Sequence, residues 1–262
     1  MLEAKRRDAV LITGASSGIG RALALACARS GAVLHLSGRD AARLDAVCAE
    51  ARARGAEVRP RVLDVADRDA MAEWIGNAGR LDLVVANAGV SGGAARGRVE
   101  TAEQVSAIFA TNVSGVVNTV LPALALMQGQ APGTHGVRGR IAVIASIAAF
   151  VASPTAPAYC ASKAAADTWT CATAPLAARQ GVAMTSVCSG FVRTAMTASN
   201  RFPMPGIMDA DRAAAIILRG VAAGRRRVVF PRWLGLVTRG AGLLPPRILG
   251  ATAGRAEKAP VR

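Results

Sequence analysis

Residues Ala9 to Thr13 form a short apolar run that passes without a spacer into Gly14-Ala15-Ser16-Ser17-Gly18-Ile19-Gly20. From Ile19 to Ser30 the apolar positions recur with helical spacing, and Gly31 ends the pattern. A strand that turns through glycines directly into a helix leaves little choice of fold. The backbone must bend tightly, and the first N–H groups of the helix, unpaired and at the positive end of its dipole, face the space above the strand. That is the geometry of a βα unit built to receive a pyrophosphate, here with the spacing G-x-x-x-G-x-G.

The alternation continues along the chain. Strands are predicted at Val33 to Ser37, Val58 to Leu63, Leu81 to Ala86, Arg140 to Ser146, Val182 to Cys188 and Arg227 to Phe230. Helices are predicted at Ala41 to Arg54, Asp67 to Asn77, Ala102 to Met127, Tyr159 to Arg179 (with Pro175 as a kink) and Asp209 to Ala223. Gln128 to Gly139 reads as a loop. Strands separated by helices imply βαβ units with right-handed crossovers. The expected fold is therefore α/β: a doubly wound, Rossmann-type parallel sheet of about seven strands, helices on both faces, in three α/β/α layers. It would occupy residues 1–230 as one domain, with residues 231–262 as a separate basic tail. Ligands of such sheets bind at the carboxyl ends of the strands.

Composition narrows the function classes. Aromatic residues are only 3% of the chain, so the core must be built from Ala, Val, Leu and Ile. The five cysteines, Cys27, Cys48, Cys160, Cys171 and Cys188, form no C-x-x-C pair, and His35 and His135 are far apart. This pattern suits buried thiols in a reducing cytoplasm and gives no metal-binding signature. No secretory signal is recognisable at Met1 to Asp8, and the apolar run Ile141 to Ala152 is too short for a membrane helix, so a cytoplasmic protein is expected. Of the net charge of +15, more than half lies between Arg219 and Arg262, where ten basic residues face one acidic residue.

The second strand ends in Leu36-Ser37-Gly38-Arg39-Asp40. A carboxylate at its tip would bond the ribose 2′-OH of NAD and repel a 2′-phosphate. Gly38 holds that position and Arg39 follows, whose planar fork suits a phosphate, so NADP(H) is expected over NAD(H).

Ser146 closes an apolar strand, and thirteen residues on comes Tyr159-Cys160-Ala161-Ser162-Lys163. Tyr159 and Lys163, four apart, share one helical face. Tyr159 is the only tyrosine and Lys163 one of three lysines in an arginine-rich chain. Hydride exchange between a secondary alcohol and a nicotinamide needs an acid/base on the alcohol oxygen. A phenol titrating near 10 serves poorly unless positive neighbours stabilise its anion. An ammonium group one helical turn away and an oxidised nicotinamide would both do so, and Ser146 can bond the same substrate oxygen.

In these features the chain resembles the standard-length short-chain dehydrogenase/reductases over roughly residues 8 to 230. The TGASSGIG turn, with Gly14, Ser16, Ser17, Gly18, Ile19 and Gly20, is similar to the family's dinucleotide loop. The resemblance further implies that Asp64 bonds the adenine beside Val65, and that Asn87-Ala88-Gly89 braces the sheet and lines the cofactor. It makes Asn112 the holder of a proton-relay water, and Ser146, Tyr159 and Lys163 the rest of a catalytic tetrad. Lys163 would also bond the nicotinamide ribose. Gly190, Val192 and Thr194 match the segment that meets the carboxamide, whereas Ser189 stands where the family usually has proline. Homodimers or homotetramers are implied as well.

Residues 194–208 should form the flap over the substrate. Met196, Phe202, Met204 and Met208 suit a hydrophobic, acyl- or lipid-like carbonyl or alcohol, and suit ordinary packing equally. In the tail, Trp233, Leu234, Leu236, Val237, Leu243, Leu244, Ile248 and Leu249 are interspersed with Arg232, Arg239 and Arg247. Such a segment suits an anionic membrane surface, the substrate entrance or a neighbouring subunit. Nucleic acid is not expected, because the basic residues are not interleaved with stacking aromatics. The competing reading is a catalytically silent NADP-binding regulator or membrane-surface protein.

Overall fold

Seven apolar runs pair into one parallel sheet: β1 (Asp8–Ile12), β2 (Ala32–Gly38), β3 (Glu57–Val62), β4 (Leu83–Ala86), β5 (Gly139–Ile144), β6 (Val182–Ser189) and β7 (Arg227–Phe230). In this computed structural model, residues 8–92, 99–133, 136–198, 200 and 202–244 are described; His135, Arg201, Arg247, Ile248 and Leu249 lie outside them. The strand order is β3-β2-β1-β4-β5-β6-β7, and every neighbouring pair is parallel. The order reverses between β1 and β4, which opens a crevice at their carboxyl ends.

Helices cover both faces: α1 (Gly18–Cys27), α2 (Ala41–Ala53), α3 (Arg68–Gly76), α4 (Ala102–Phe109), α5 (Gly115–Gln128), α6 (Pro157–Arg179), α7 (Ala195–Ala198), α8 (Ala210–Ala222) and α9 (Arg232–Gly242). Strand periodicity sorts the core into two layers. Val10 and Ile12 of β1, with Leu34 and Leu36 of β2, pack under α1, α2 and α8; Ala9 and Leu11 face the opposite layer, with Ile141 and Val143 of β5, under α3, α5 and α6. Helix starts follow local chemistry. Asp40 caps α2 by accepting from Arg43 N at 2.9 Å, Asp67 caps α3 by accepting from Ala70 N at 3.0 Å, and Thr101 with Gln104 forms a reciprocal capping box on α4.

Three places bear on the sequence expectations. The helix predicted over Ala102 to Met127 is interrupted by a π turn at Ala110–Ser114, which carries Asn112. As the sequence predicts, α6 runs through Pro175 to Arg179; Ala174 and Ala177 are buried beside it, and packing outweighs the lost hydrogen bond. The apolar stretch Ile141 to Ala152 divides into the end of β5 and a 3-10 turn at Ile147–Phe150. By length and composition alone, Ala102–Gln128 is apolar enough to cross a bilayer, but half of that window is buried within this domain.

Candidate active site

The glycine turn is braced from the side by β4. Thr13 Oγ1 accepts from Asn87 N at 3.0 Å and Ala88 N at 3.1 Å, while Asn87 Nδ2 donates to the carbonyls of Thr13 at 2.9 Å and Gly14 at 3.1 Å. Gly14 has φ of 65°, a conformation that favours glycine. A Cβ on Gly20 would run into the Gly14 carbonyl and the Asn87 amide. The turn and the Asn87-Ala88-Gly89 segment thus close on one another so tightly that only backbone fits between them. Gly14, Ser16, Ser17, Gly18, Ile19, Asn87, Ala88 and Gly89 all line a cleft of about 520 Å³, whereas Gly20 stands behind its wall.

The far end of the cleft is polar. Arg39 and Asp64 face each other there with Nη1 to Oδ2 at 3.4 Å, and Val65 lies beside them. The Asp40 carboxylate is held by Arg43, through the backbone N–H and through Nε at 2.7 Å. Those bonds, the backbone one first, hold the Asp40 carboxyl below the usual carboxylate range. Ser37 Oγ is buried on this wall without a hydrogen-bond partner. An orphaned hydroxyl, a cradle of backbone N–H groups and two guanidinium groups fit a dinucleotide phosphate.

At the other end α6 presents Tyr159 and Lys163 to the cleft. Lys163 is 4% exposed, and its Nζ donates to the Ile144 carbonyl at 2.8 Å and stands 5.8 Å from the centre of the Tyr159 ring. Burial lowers the Lys163 pKa to about 8. Ser146 Oγ accepts from Ala148 N at 3.1 Å and donates to the Ser189 carbonyl at 3.3 Å. Hydrogen bonding with Ser146 pulls the Tyr159 pKa down, but burial outweighs it and the phenol stays above its ordinary value. The sequence argument relies on the ammonium group together with an oxidised nicotinamide to make this phenol more acidic. In the protein itself desolvation dominates, with the lysine turned to a backbone carbonyl.

Asn112 is wholly buried on its π turn. Its Oδ1 accepts from Val90 N at 2.9 Å, and its Nδ2 donates to the Val90 carbonyl at 2.9 Å and to Ser162 Oγ at 3.0 Å. A Cβ on Gly89 would lie 3.3 Å from both Asn112 Oδ1 and Lys163 Nζ, so these two groups meet at the same backbone position. Ser146, 8% exposed, stands against the Tyr159 phenol, whereas Asn112 is fully enclosed.

After β6 the chain is tied at its base. Gly190 N donates to the Phe230 carbonyl at 2.7 Å, and Val192 bridges Met208. Ser189, in the proline position, extends β6 by pairing with Phe230, so the strand ladder holds this backbone. Gly190 and Val192 are structural neighbours of the cleft, whereas Thr194 and Met196 line it. The sequence reading did not assign Ser37, Arg43, Leu63, Val90, Thr111, Ile144 or Ala145 to the lining, and named Ser189 only for its place in the loop. Arg43 carried a signal, being one helical turn from Arg39 at the start of α2. The others are set by strand ends meeting in space.

Residues 8–204 match the family model described as short chain dehydrogenase. An uncharacterized oxidoreductase of Myxococcus xanthus is 39% identical over 259 residues, covering 97% of this chain and 99% of that protein. The 3-oxoacyl-[acyl-carrier-protein] reductase FabG of Thermotoga maritima is 31% identical over 222 residues, 79% of this chain and 87% of that protein. Among solved structures, the short-chain dehydrogenase from Sphingobium yanoikuyae in complex with NADPH superposes with a TM-score of 0.75 at 25% identity, over 97% of this chain and 96% of that one.

Proposed function

This chain belongs to the short-chain dehydrogenase/reductase family of NAD(P)-dependent oxidoreductases, and we propose that it uses NADP(H) to interconvert a hydrophobic, acyl- or lipid-like carbonyl compound and its secondary alcohol. The observation that carries this reading is the convergence of Tyr159, Lys163 and the glycine cradle on one cleft, with Ser146 against the Tyr159 phenol.

In this reading Tyr159 gives its proton to the substrate oxygen in reduction and takes it back in oxidation, while Ser146 steadies the same oxygen. Held by these residues, a nicotinamide would supply the hydride exchanged with the substrate carbon and, when oxidised, a positive charge that favours the phenolate. Lys163 holds the nicotinamide ribose, and Asn112 anchors the relay that returns a proton to Tyr159. Gly14, Ser16, Ser17, Gly18, Ile19 and Gly20 form the pyrophosphate turn, Asp64 and Val65 take the adenine, and Asn87, Ala88 and Gly89 line the path between. Gly190, Val192 and Thr194 shape the carboxamide end. Arg39 receives the 2′-phosphate, with Arg43 beside it; support comes from Asp40 being occupied by Arg43 and so withdrawn from a ribose hydroxyl.

The flap supports an apolar substrate, since Met196 and Phe202 are exposed at 41% and 49%. Exposed Phe109 and Leu121 on α4 and α5 suit a homodimer or homotetramer, and five free thiols suit the reducing cytoplasm.

The test is an NADPH-oxidation screen over ketones, quinones, acyl thioesters and steroid-like carbonyls, repeated with Tyr159→Phe. An enzyme loses turnover by roughly a hundredfold or more in the variant and keeps its NADPH fluorescence change. Cofactor binding without turnover on any substrate class would favour a silent regulator instead.

A further inference from the structure

Helix α9 is amphipathic in an unusual sense: its buried side is small and its outward side is apolar. Inward, Leu234 and Gly235 are buried, and Cβ atoms on Gly235 and Gly242 would run into Val229 and the Phe150 carbonyl. Arg239 lies over the Phe150 ring, its guanidinium carbon 4.4 Å from the ring centre. The helix is thus fixed against β7 and the turn that follows Ser146. Outward, Trp233, Leu236, Val237, Leu243 and Leu244 are exposed at 51%, 68%, 58%, 88% and 44%. Spaced by three, four and seven residues, they form one stripe, and Arg232 and Arg239 lie along its edge.

We propose that this stripe docks the protein on an anionic lipid surface, with α9 lying in the plane of the interface. A stripe of bulky apolar side chains in water is costly unless something covers it. Charge selects the occupant. Beyond α9 the chain carries Arg247, Arg255, Lys258 and Arg262 against a single acid, Glu257. A second copy meeting this face about a two-fold axis would bring like charges together, whereas an anionic bilayer matches both the stripe and its basic flanks. The stripe also adjoins the segment that follows α7. A Cβ on Gly206, in the segment proposed as the flap, would lie 3.2 Å from the Trp233 ring. A docked molecule would therefore hold its flap, with exposed Phe202, near the membrane.

The experiment is flotation of the full chain with vesicles of phosphatidylcholine alone and of phosphatidylcholine mixed with phosphatidylglycerol. Binding is expected only to the phosphatidylglycerol vesicles, weakening as salt is raised. It should fall roughly tenfold in Leu236→Glu/Val237→Glu, whose altered positions lie outside the cleft. Size-exclusion chromatography with light scattering should show the double variant with the wild-type mass. Absence of vesicle binding overturns the proposal, as does equal binding by the variant. A smaller assembly in the variant would make the stripe a subunit interface and overturn it too. None of these readouts uses turnover, so failure here leaves the oxidoreductase reading standing, and the reverse.

Discussion

Asp167 and Arg227 form a two-pronged ion pair between α6 and β7, with Nη2 to Oδ2 at 2.8 Å and Nε to Oδ1 at 3.0 Å. Ser186 Oγ adds a third bond to Oδ1 at 2.6 Å, and the Arg227 guanidinium carbon stands 5.8 Å from the Phe150 ring centre. Asp167 is one helical turn beyond Lys163, so the pair joins the helix bearing Tyr159 and Lys163 to the sheet and to the turn after Ser146. Removing the arginine leaves a buried carboxylate without its counter-charge. Arg227→Ala is expected to destabilise the protein by about 3 kcal/mol in urea unfolding, while Asp167→Leu/Arg227→Met should recover most of that loss. Equal stability of Arg227→Ala and wild type would show that the pair contributes nothing.

Gly20 tests the cradle. Because a Cβ there would collide with the Gly14 carbonyl, Gly20→Ala must push the turn away from Asn87. The expected result is loss of NADPH binding by at least roughly a hundredfold, with a stability loss of about 1–3 kcal/mol, read by fluorescence titration and thermal melting. Unimpaired binding would mean that the turn does not hold the cofactor.

Much of this arrangement was legible in the sequence for a local reason. The glycine turn, the strand-helix alternation and the four-residue spacing of Tyr159 and Lys163 are short-range patterns whose geometry follows from helix and strand periods. The parallel character of the sheet followed from strands alternating with helices, which serve as crossovers. What stayed hidden depends on distant partners. Nothing near Asp167 announces Arg227, sixty residues away. The π turn under Asn112 is a tertiary outcome that no local pattern announces. The sequence shows the lysine's charge but not the desolvation that holds the phenol above its ordinary value.

Arg39 and Arg43 carry the coenzyme preference in the proposed function. Both line the cleft at the tip of β2, and each is exposed enough to turn from its carboxylate partner to a phosphate. Arg39→Ala/Arg43→Ala is expected to weaken NADPH binding by roughly tenfold to a hundredfold and to leave NADH binding nearly unchanged. Parallel fluorescence titrations with the two coenzymes measure this. An equal loss for both would assign these arginines to the pyrophosphate or to folding, not to the 2′-phosphate.

Lys163 gives the protein a pH signature independent of turnover. Its pKa falls from the ordinary 10.5 to about 8 because burial disfavours the ammonium form. Below pH 8 both the folded and the unfolded chain hold the proton, and the folded state bears the full cost of a buried charge. Between pH 8 and pH 10.5 the folded chain releases the proton while the unfolded chain keeps it. The unfolded state then binds more protons, so this group makes stability rise with pH across that window. Lys163→Met has no such group. Urea unfolding of both proteins at a series of pH values should therefore show the wild type gaining on the variant through the window, by up to roughly 3 kcal/mol. A difference that stays flat would mean that the ammonium is well solvated in the fold, and that Lys163 is not held in the dry position from which it faces the Tyr159 ring.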